Sequence, residues 1–129
     1  MTEKKISTVM VVDDSKSSRK VNTALLHTLL GDTVLYLEAA SGESALEQLA
    51  AQPVDVVLLD LTMPGISGFD VLAALQERHS EAQVIVVSAD IQRLARQRVE
   101  SLGAAGFIAK PIQIDALRAE LVKLEVLHG

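Results

Sequence analysis

Five short apolar runs punctuate the chain: TVMVVD (8–13), TVLYLE (33–38), VDVVLLD (54–60), QVIVVS (83–88) and AAGFIAK (104–110). They are rich in β-branched residues, and the runs 8–13, 54–60 and 83–88 are nearly continuous in apolar character. Runs of that kind predict strands covered on both faces, as in a parallel sheet. Between them, apolar residues recur at helical spacing. Val21, Leu25 and Leu29 stand at i, i+4 and i+8; Ala45, Leu46 and Leu49 share a stripe, as do Val71, Leu72 and Leu75. Leu94, Ala95 and Leu102 suggest a fourth helix, and Leu117, Leu121 and Leu124 a fifth. Ser15, Ser41 and Ser67 stand where helix caps are expected, and Gly31 and Gly103 follow expected helix ends. The alternation is βαβαβαβαβα with short connections. It predicts an α/β layer sandwich with right-handed crossovers.

Composition narrows this picture. A chain of 129 residues fits one domain, so residues 1–129 are expected to form a single unit. Hydrophobic residues make up 49%, enough for a core, with Val, Leu, Ile and Ala filling the volume that one Tyr, two Phe and no Trp leave. The absence of cysteine excludes disulfides and thiolate metal sites. No apolar run approaches the roughly 18 residues of a membrane span, and MTEKKIST lacks the apolar stretch of a secretory signal. A cytoplasmic protein without membrane insertion is the expectation. A formal net charge of −5 argues against nucleic acid as the partner.

The chemistry lies at the ends of the strands. The first run ends in Asp13-Asp14, the third in Asp60, the fourth in Ser88, and the fifth in Lys110 followed by Pro111. In an open α/β sheet the functional crevice lies beyond the carboxyl ends of the strands, where the strand order reverses. In the flavodoxin-like order 2-1-3-4-5, strands 1 and 3 are neighbours at that point, so the three aspartates should converge with Ser88 and Lys110 beside them. Three adjacent carboxylates repel, and one would have its pKa raised unless a cation intervenes. Mg2+ suits such a set, because it takes one or two carboxylates and keeps positions for water and phosphate oxygens. A hydroxyl and an ammonium complete a set suited to phosphoryl oxygens. A carboxylate can itself attack phosphorus, and Asp60, alone at the centre of the edge, is the candidate nucleophile.

Taken singly, each residue has an ordinary reading. Asp13, Asp14 and Ser15 can start a helix, Asp60 can be a turn residue before Met63-Pro64-Gly65, and Ser88 can cap a helix. Lys110 can be a surface lysine, and Phe107 a core filler. Gly65 and Gly68 read as turn and helix-start residues. Independent causes of this kind do not place acids, hydroxyl and base on one sheet edge in this order.

The motifs VVDDS (11–15), LLDLTMPGISG (58–68), VSAD (87–90) and FIAKP (107–111) together resemble the receiver domain of bacterial two-component response regulators, of the CheY-like, single-domain kind. The resemblance implies the flavodoxin-like (βα)5 fold and Asp60 as the phosphoacceptor. It implies Asp14, Asp60 and the Thr62 carbonyl as direct Mg2+ ligands, with Asp13 acting through water. Ser88 would take a phosphoryl oxygen, Lys110 would pair with the phosphoryl group, and the Lys110–Pro111 bond would be cis. Phe107 would be the aromatic switch, while Thr62 and Asp90 would tune the loss of phosphate. The implied donor is a histidine kinase or a histidine phosphotransfer protein. The implied output is protein contact through the fourth helix, fifth strand and fifth helix, by a monomer or a weak phosphorylation-dependent dimer. The role is that of a chemotaxis-type signalling switch rather than an enzyme.

The fourth helix adds Arg93 and Arg96 at i and i+3, a local basic patch that reads as a solvated face or as a dock for an acidic partner. Other functions remain: a phosphate sink or phosphorelay carrier without an output partner, and an aspartyl-phosphate phosphohydrolase. The last normally needs Asp-x-Asp after the first strand, whereas here the aspartates are adjacent. An FMN site is disfavoured, because the aspartate pair would repel the flavin phosphate.

Overall fold

The computed structural model describes residues 6–89 and 93–127; Asp90 and the Leu94 side chain lie outside the described set. The elements run β1 (Thr8–Val12), α1 (Lys16–Leu30), β2 (Leu35–Ala39), α2 (Gly42–Ala51), β3 (Val56–Asp60), α3 (Gly68–Glu77), β4 (Gln83–Ser88), α4 (Arg93–Ser101), β5 (Gly106–Ala109) and α5 (Ile114–Lys123). The five strands form one sheet in the order β2-β1-β3-β4-β5, and all adjacent pairs are parallel. This is the flavodoxin-like arrangement expected from the alternation of the sequence.

The continuous apolar runs are explained by two cores, one on each face. Met10, Val12, Val57, Leu59, Val84 and Val86 pack with α2, α3 and α4. Val9, Val11, Val56, Leu58, Ile85 and Val87 pack with α1 and α5. Successive strand residues point to opposite faces, so a strand with both faces covered must be apolar at every position. Ser15, Ser41 and Ser67 each accept a hydrogen bond from the backbone N–H three residues on, and so cap α1, α2 and α3. Among the described residues, no helix is long and apolar enough to cross a membrane.

Strand limits differ from the apolar runs at the functional edge. The run 8–13 continues as strand only to Val12. The Asp13 N–H still donates to Ala39 O at 3.1 Å, but its carboxylate accepts from Ser15 N–H at 2.8 Å and turns the chain into α1. The run 104–110 is strand only over Gly106–Ala109, so Lys110 stands just beyond β5, ahead of a proline that has no N–H for the ladder. The run 33–38 enters the sheet only at Leu35.

The apolar stripe of α1 meets the core through Leu25 and Leu29, but not through Val21. The buried residues of the helix are Asn22 and Leu26, whereas Val21 is 59% exposed. The line through Arg19, Asn22 and Leu26, spaced i, i+3 and i+7, lies about one residue (~100°) from the stripe through Val21.

Candidate functional site

The sheet delivers five side chains to the carboxyl ends of its strands. By the alternation of the pleat, Asp60 shares a face with Val56 and Leu58, towards α1 and α5. Ser88 shares the opposite face with Val84 and Val86, where Phe107 also packs. Carboxylate oxygens of Asp13, Asp14 and Asp60 all lie within 4.8 Å of one another. Asp13 and Asp60 are 1% and 4% exposed, while Asp14 is open to solvent. Lys110 reaches both buried acids, with Nζ 3.4 Å from Asp13 Oδ2 and 3.3 Å from Asp60 Oδ1. The Thr62 N–H donates to the same Asp60 Oδ1 at 3.3 Å. The backbone N–H of Lys110 donates to Ser88 O at 2.9 Å, which ties the end of β4 to the residue after β5. The Lys110–Pro111 bond is cis.

The electrostatics carry a conflict. Burial pushes the Asp60 carboxyl above its usual range and Asp13 adds to this, while Lys110 and the Thr62 N–H pull it down without winning. Burial alone would lower the Lys110 ammonium, but the attraction of Asp60 and then Asp13 outweighs it, and the group is raised. One ammonium therefore leaves part of the acidic charge uncompensated. Oxygen donors in a tight group with surplus negative charge fit a hard divalent cation. Asp13, Asp14 and Asp60 are the residues that would hold it.

The turn behind Asp60 depends on close approach. A Cβ on Gly68 would sit 2.5 Å from Asp60 O and 2.7 Å from Leu61 Cα. Gly68 is therefore more than a helix-start residue: only glycine lets α3 begin directly under the Asp60 peptide. Leu61 and Met63 are buried and anchor the same turn.

Phe107 is partly buried on β5 and touches both flanking helices. The Arg96 guanidinium lies 5.5 Å from the centre of its ring. Glu120 Oε1 accepts from the Phe107 N–H at 3.3 Å, and Lys123 Nζ lies 3.3 Å from Glu120 Oε2. A Cβ on Gly106 would collide with Glu120 Oε1, so glycine there admits α5 to the sheet edge. Arg93 is exposed, and Arg96 also approaches Glu100 at 3.9 Å. Arg98 lies over the Phe69 ring at 4.0 Å and clasps α3 to α4.

The pattern of apolar runs located Asp13, Asp14, Asp60, Ser88 and Lys110; the structure brings the three acids and Lys110 together and places Ser88 at the end of the neighbouring strand β4. Asp90 lies outside the described residues. Sequence reasoning passed over Arg19 and Glu120, whose roles arise from contacts across elements. Their weak signals were an arginine one turn beyond the Ser15 cap and a glutamate on the apolar side of the last helix.

Comparison with known proteins agrees with this geometry. A family profile described as the response regulator receiver domain matches residues 9–122. The sensory/regulatory protein RpfC of Xanthomonas campestris pv. campestris is 34% identical over 122 residues, covering 92% of this chain and 16% of that protein. The positive alginate biosynthesis regulatory protein of Pseudomonas aeruginosa is 35% identical over 115 residues, covering 89% of this chain and 46% of that protein. The chain thus spans less than half the length of either relative. Among solved structures, a CheX–CheY–BeF3–Mg2+ complex from Borrelia burgdorferi superposes with a TM-score of 0.84 at 28% identity, covering 92% of this chain and 88% of that one.

Proposed function

This chain belongs to the response regulator receiver domain family, and on that premise we propose that it is a switch that accepts a phosphoryl group on Asp60 and then changes its partner-binding face. The observation that carries the proposal is the buried Asp60 carboxylate sharing Lys110 with Asp13. The proposed donor is a phosphohistidine on a kinase or phosphotransfer protein. An Asp60 oxygen attacks phosphorus as the donor N–P bond breaks, and the imidazole leaves with the electron pair. Both described polar contacts of Asp60 fall on Oδ1, which favours Oδ2 as the attacking atom. Lys110 offsets charge on the equatorial oxygens, and the Ser88 hydroxyl supplies a hydrogen bond to one of them. When bound, Mg2+ would supply further charge compensation for the phosphoryl oxygens; Asp13, Asp14, Asp60 and the Thr62 carbonyl are its proposed holders. The Mg2+ named in the CheY complex supports that choice. Water attacks the acyl phosphate later, releasing phosphate and restoring the carboxylate. Thr62 and Asp90 are the proposed modifiers of that rate.

The proposed readout runs through Phe107. Val86 pairs with Phe107 across β4 and β5, so Ser88 lies two residues further along the same face. A Ser88 drawn towards new phosphoryl oxygens leaves room on the side into which Phe107 can turn. Turning the ring inward withdraws it from Arg96, and the surface of α4, β5 and α5 changes. Its proposed partner is an acidic protein surface meeting Arg93 and Arg96. Reversing both charges to Glu should weaken capture of the output partner by about 10-fold or more, while labelling by acetyl phosphate is unaltered. Phe107→Ala should equalise capture by the phosphorylated and unphosphorylated forms; a preserved difference argues against the aromatic switch. The function as a whole is tested by labelling from acetyl phosphate. Labelling should require Mg2+, stop on chelation and be reversed by hydroxylamine, which cleaves acyl phosphates. Label acquired without Mg2+, or resistant to hydroxylamine, contradicts the proposal.

A further inference from the structure

The acidic pair is held from behind by a side chain that the proposed chemistry leaves unused. Arg19 stands on the second turn of α1. Its Nη1 donates to the main-chain carbonyl of Asp13 at 2.8 Å, and its Nε donates to Glu38 Oε1 at 3.1 Å, near the end of β2. The side chain is 15% exposed, so water competes weakly for these bonds. One guanidinium thus ties together α1, the end of β1 and the end of β2. An ammonium has a single centre and cannot span both acceptors with the same geometry.

The bond to the Asp13 carbonyl has a specific consequence. That carbonyl belongs to the Asp13–Asp14 peptide, whose atoms lie in one plane. Fixing it fixes the direction in which Asp14 leaves the backbone. The Asp13 carboxylate has its own holders, Ser15 N–H and Lys110. Asp14 is exposed, and its aim depends on the peptide. We propose that Arg19, anchored by Glu38, is a positioning residue that presents the Asp13–Asp14 pair to a divalent cation. This inference rests on the cation reading above.

Two physical roles for Arg19 predict opposite signs. A positive charge near a cation site repels the ion, so if charge were all that mattered, removing Arg19 would tighten binding. If Arg19 positions the ligands, removing it weakens binding, as loss of outer-shell partners typically does by 10–100-fold. The test is isothermal titration of the folded protein with Mg2+, alongside thermal unfolding in a chelator to confirm folding. Arg19→Ala should weaken Mg2+ binding about 10-fold. Arg19→Lys keeps the charge and should still weaken it, by about threefold; a charge-only role predicts no change. If Arg19→Ala does not fold, Arg19→Lys alone decides the matter. Unchanged or tighter binding in a folded variant overturns the positioning role while leaving the cation site standing. A wild type that fails to bind Mg2+ overturns both.

Discussion

Replacing Lys110 with Met is expected to destabilise the metal-free protein by about 3 kcal/mol at pH 7, because it strands two buried carboxylates without their cation. The corresponding fall in Tm is about 10 °C for a domain of this size. Lys110 Nζ lies within 3.4 Å of both Asp13 and Asp60, whose side chains are almost wholly buried. The pH dependence follows from the direction of each shift. Asp60 is raised, so the folded state holds its proton more tightly than the unfolded chain does. Its ionisation therefore costs stability, progressively, as pH rises from the usual carboxyl value of 3.8 through the raised one. Lys110 is also raised; its contribution is present below the usual 10.5 and is lost as pH climbs through its folded value. Without Lys110, which pulls it down, the Asp60 carboxyl rises further. The deficit in Lys110→Met should accordingly be largest near neutrality and shrink as pH falls towards 4. Mg2+ at ten times its Kd should return about 1.4 kcal/mol, yet labelling from acetyl phosphate should remain about 100-fold slower, since the ammonium is absent from the reacting group. Chemical unfolding across pH checks the first part. An equal deficit at pH 4 and pH 7 would mean that Lys110 stabilises through packing instead.

The second large effect is expected at a residue with no side chain. Gly68→Ala places a methyl against Asp60 O and Leu61 Cα, both backbone atoms that cannot swing aside. Either α3 backs away or the Asp60 peptide moves. A cost of about 3 kcal/mol is expected, the upper end for overpacking, together with phosphoryl transfer slowed by about 100-fold, as a displacement near 1 Å can produce. Gly65 is the control. It has φ +76°, and an added Cβ would meet only Glu43 carboxylate oxygens at 3.7 Å, so Gly65→Ala carries backbone strain of about 1 kcal/mol and little else. Gly68 itself has no positive φ, so a loss at Gly68→Ala no larger than that at Gly65→Ala would contradict close approach as the reason for glycine at 68.

These two residues also mark how far the sequence could be read. Nearly continuous apolar runs ending in Asp13, Asp60 and Ser88 are visible in one dimension, because a strand buried on both faces leaves its signature at every residue. Convergence of their ends then follows from the strand order. Gly68 was read as an ordinary helix start, since the sequence does not display how closely α3 approaches the end of β3. The inward face of α1 is legible in part for a related reason. Leu25 and Leu29 of its apolar stripe pack against the core as the spacing predicts, whereas Val21 is exposed and the polar Asn22 is buried with Leu26, three residues after an Arg19 bound to Asp13 O and Glu38. The Glu120 carboxylate lies where a Cβ on residue 106 would be, a pairing across 14 positions of chain that no local pattern encodes.

Intact-protein mass spectrometry after incubation with Mg2+ and acetyl phosphate decides whether Asp60 is the acceptor. Wild-type protein should gain the mass of one phosphoryl group, and Asp60→Asn, folded and otherwise unaltered, should gain none. A phosphoryl adduct that persists on Asp60→Asn would place the acceptor elsewhere and contradict the mechanism built on the end of β3.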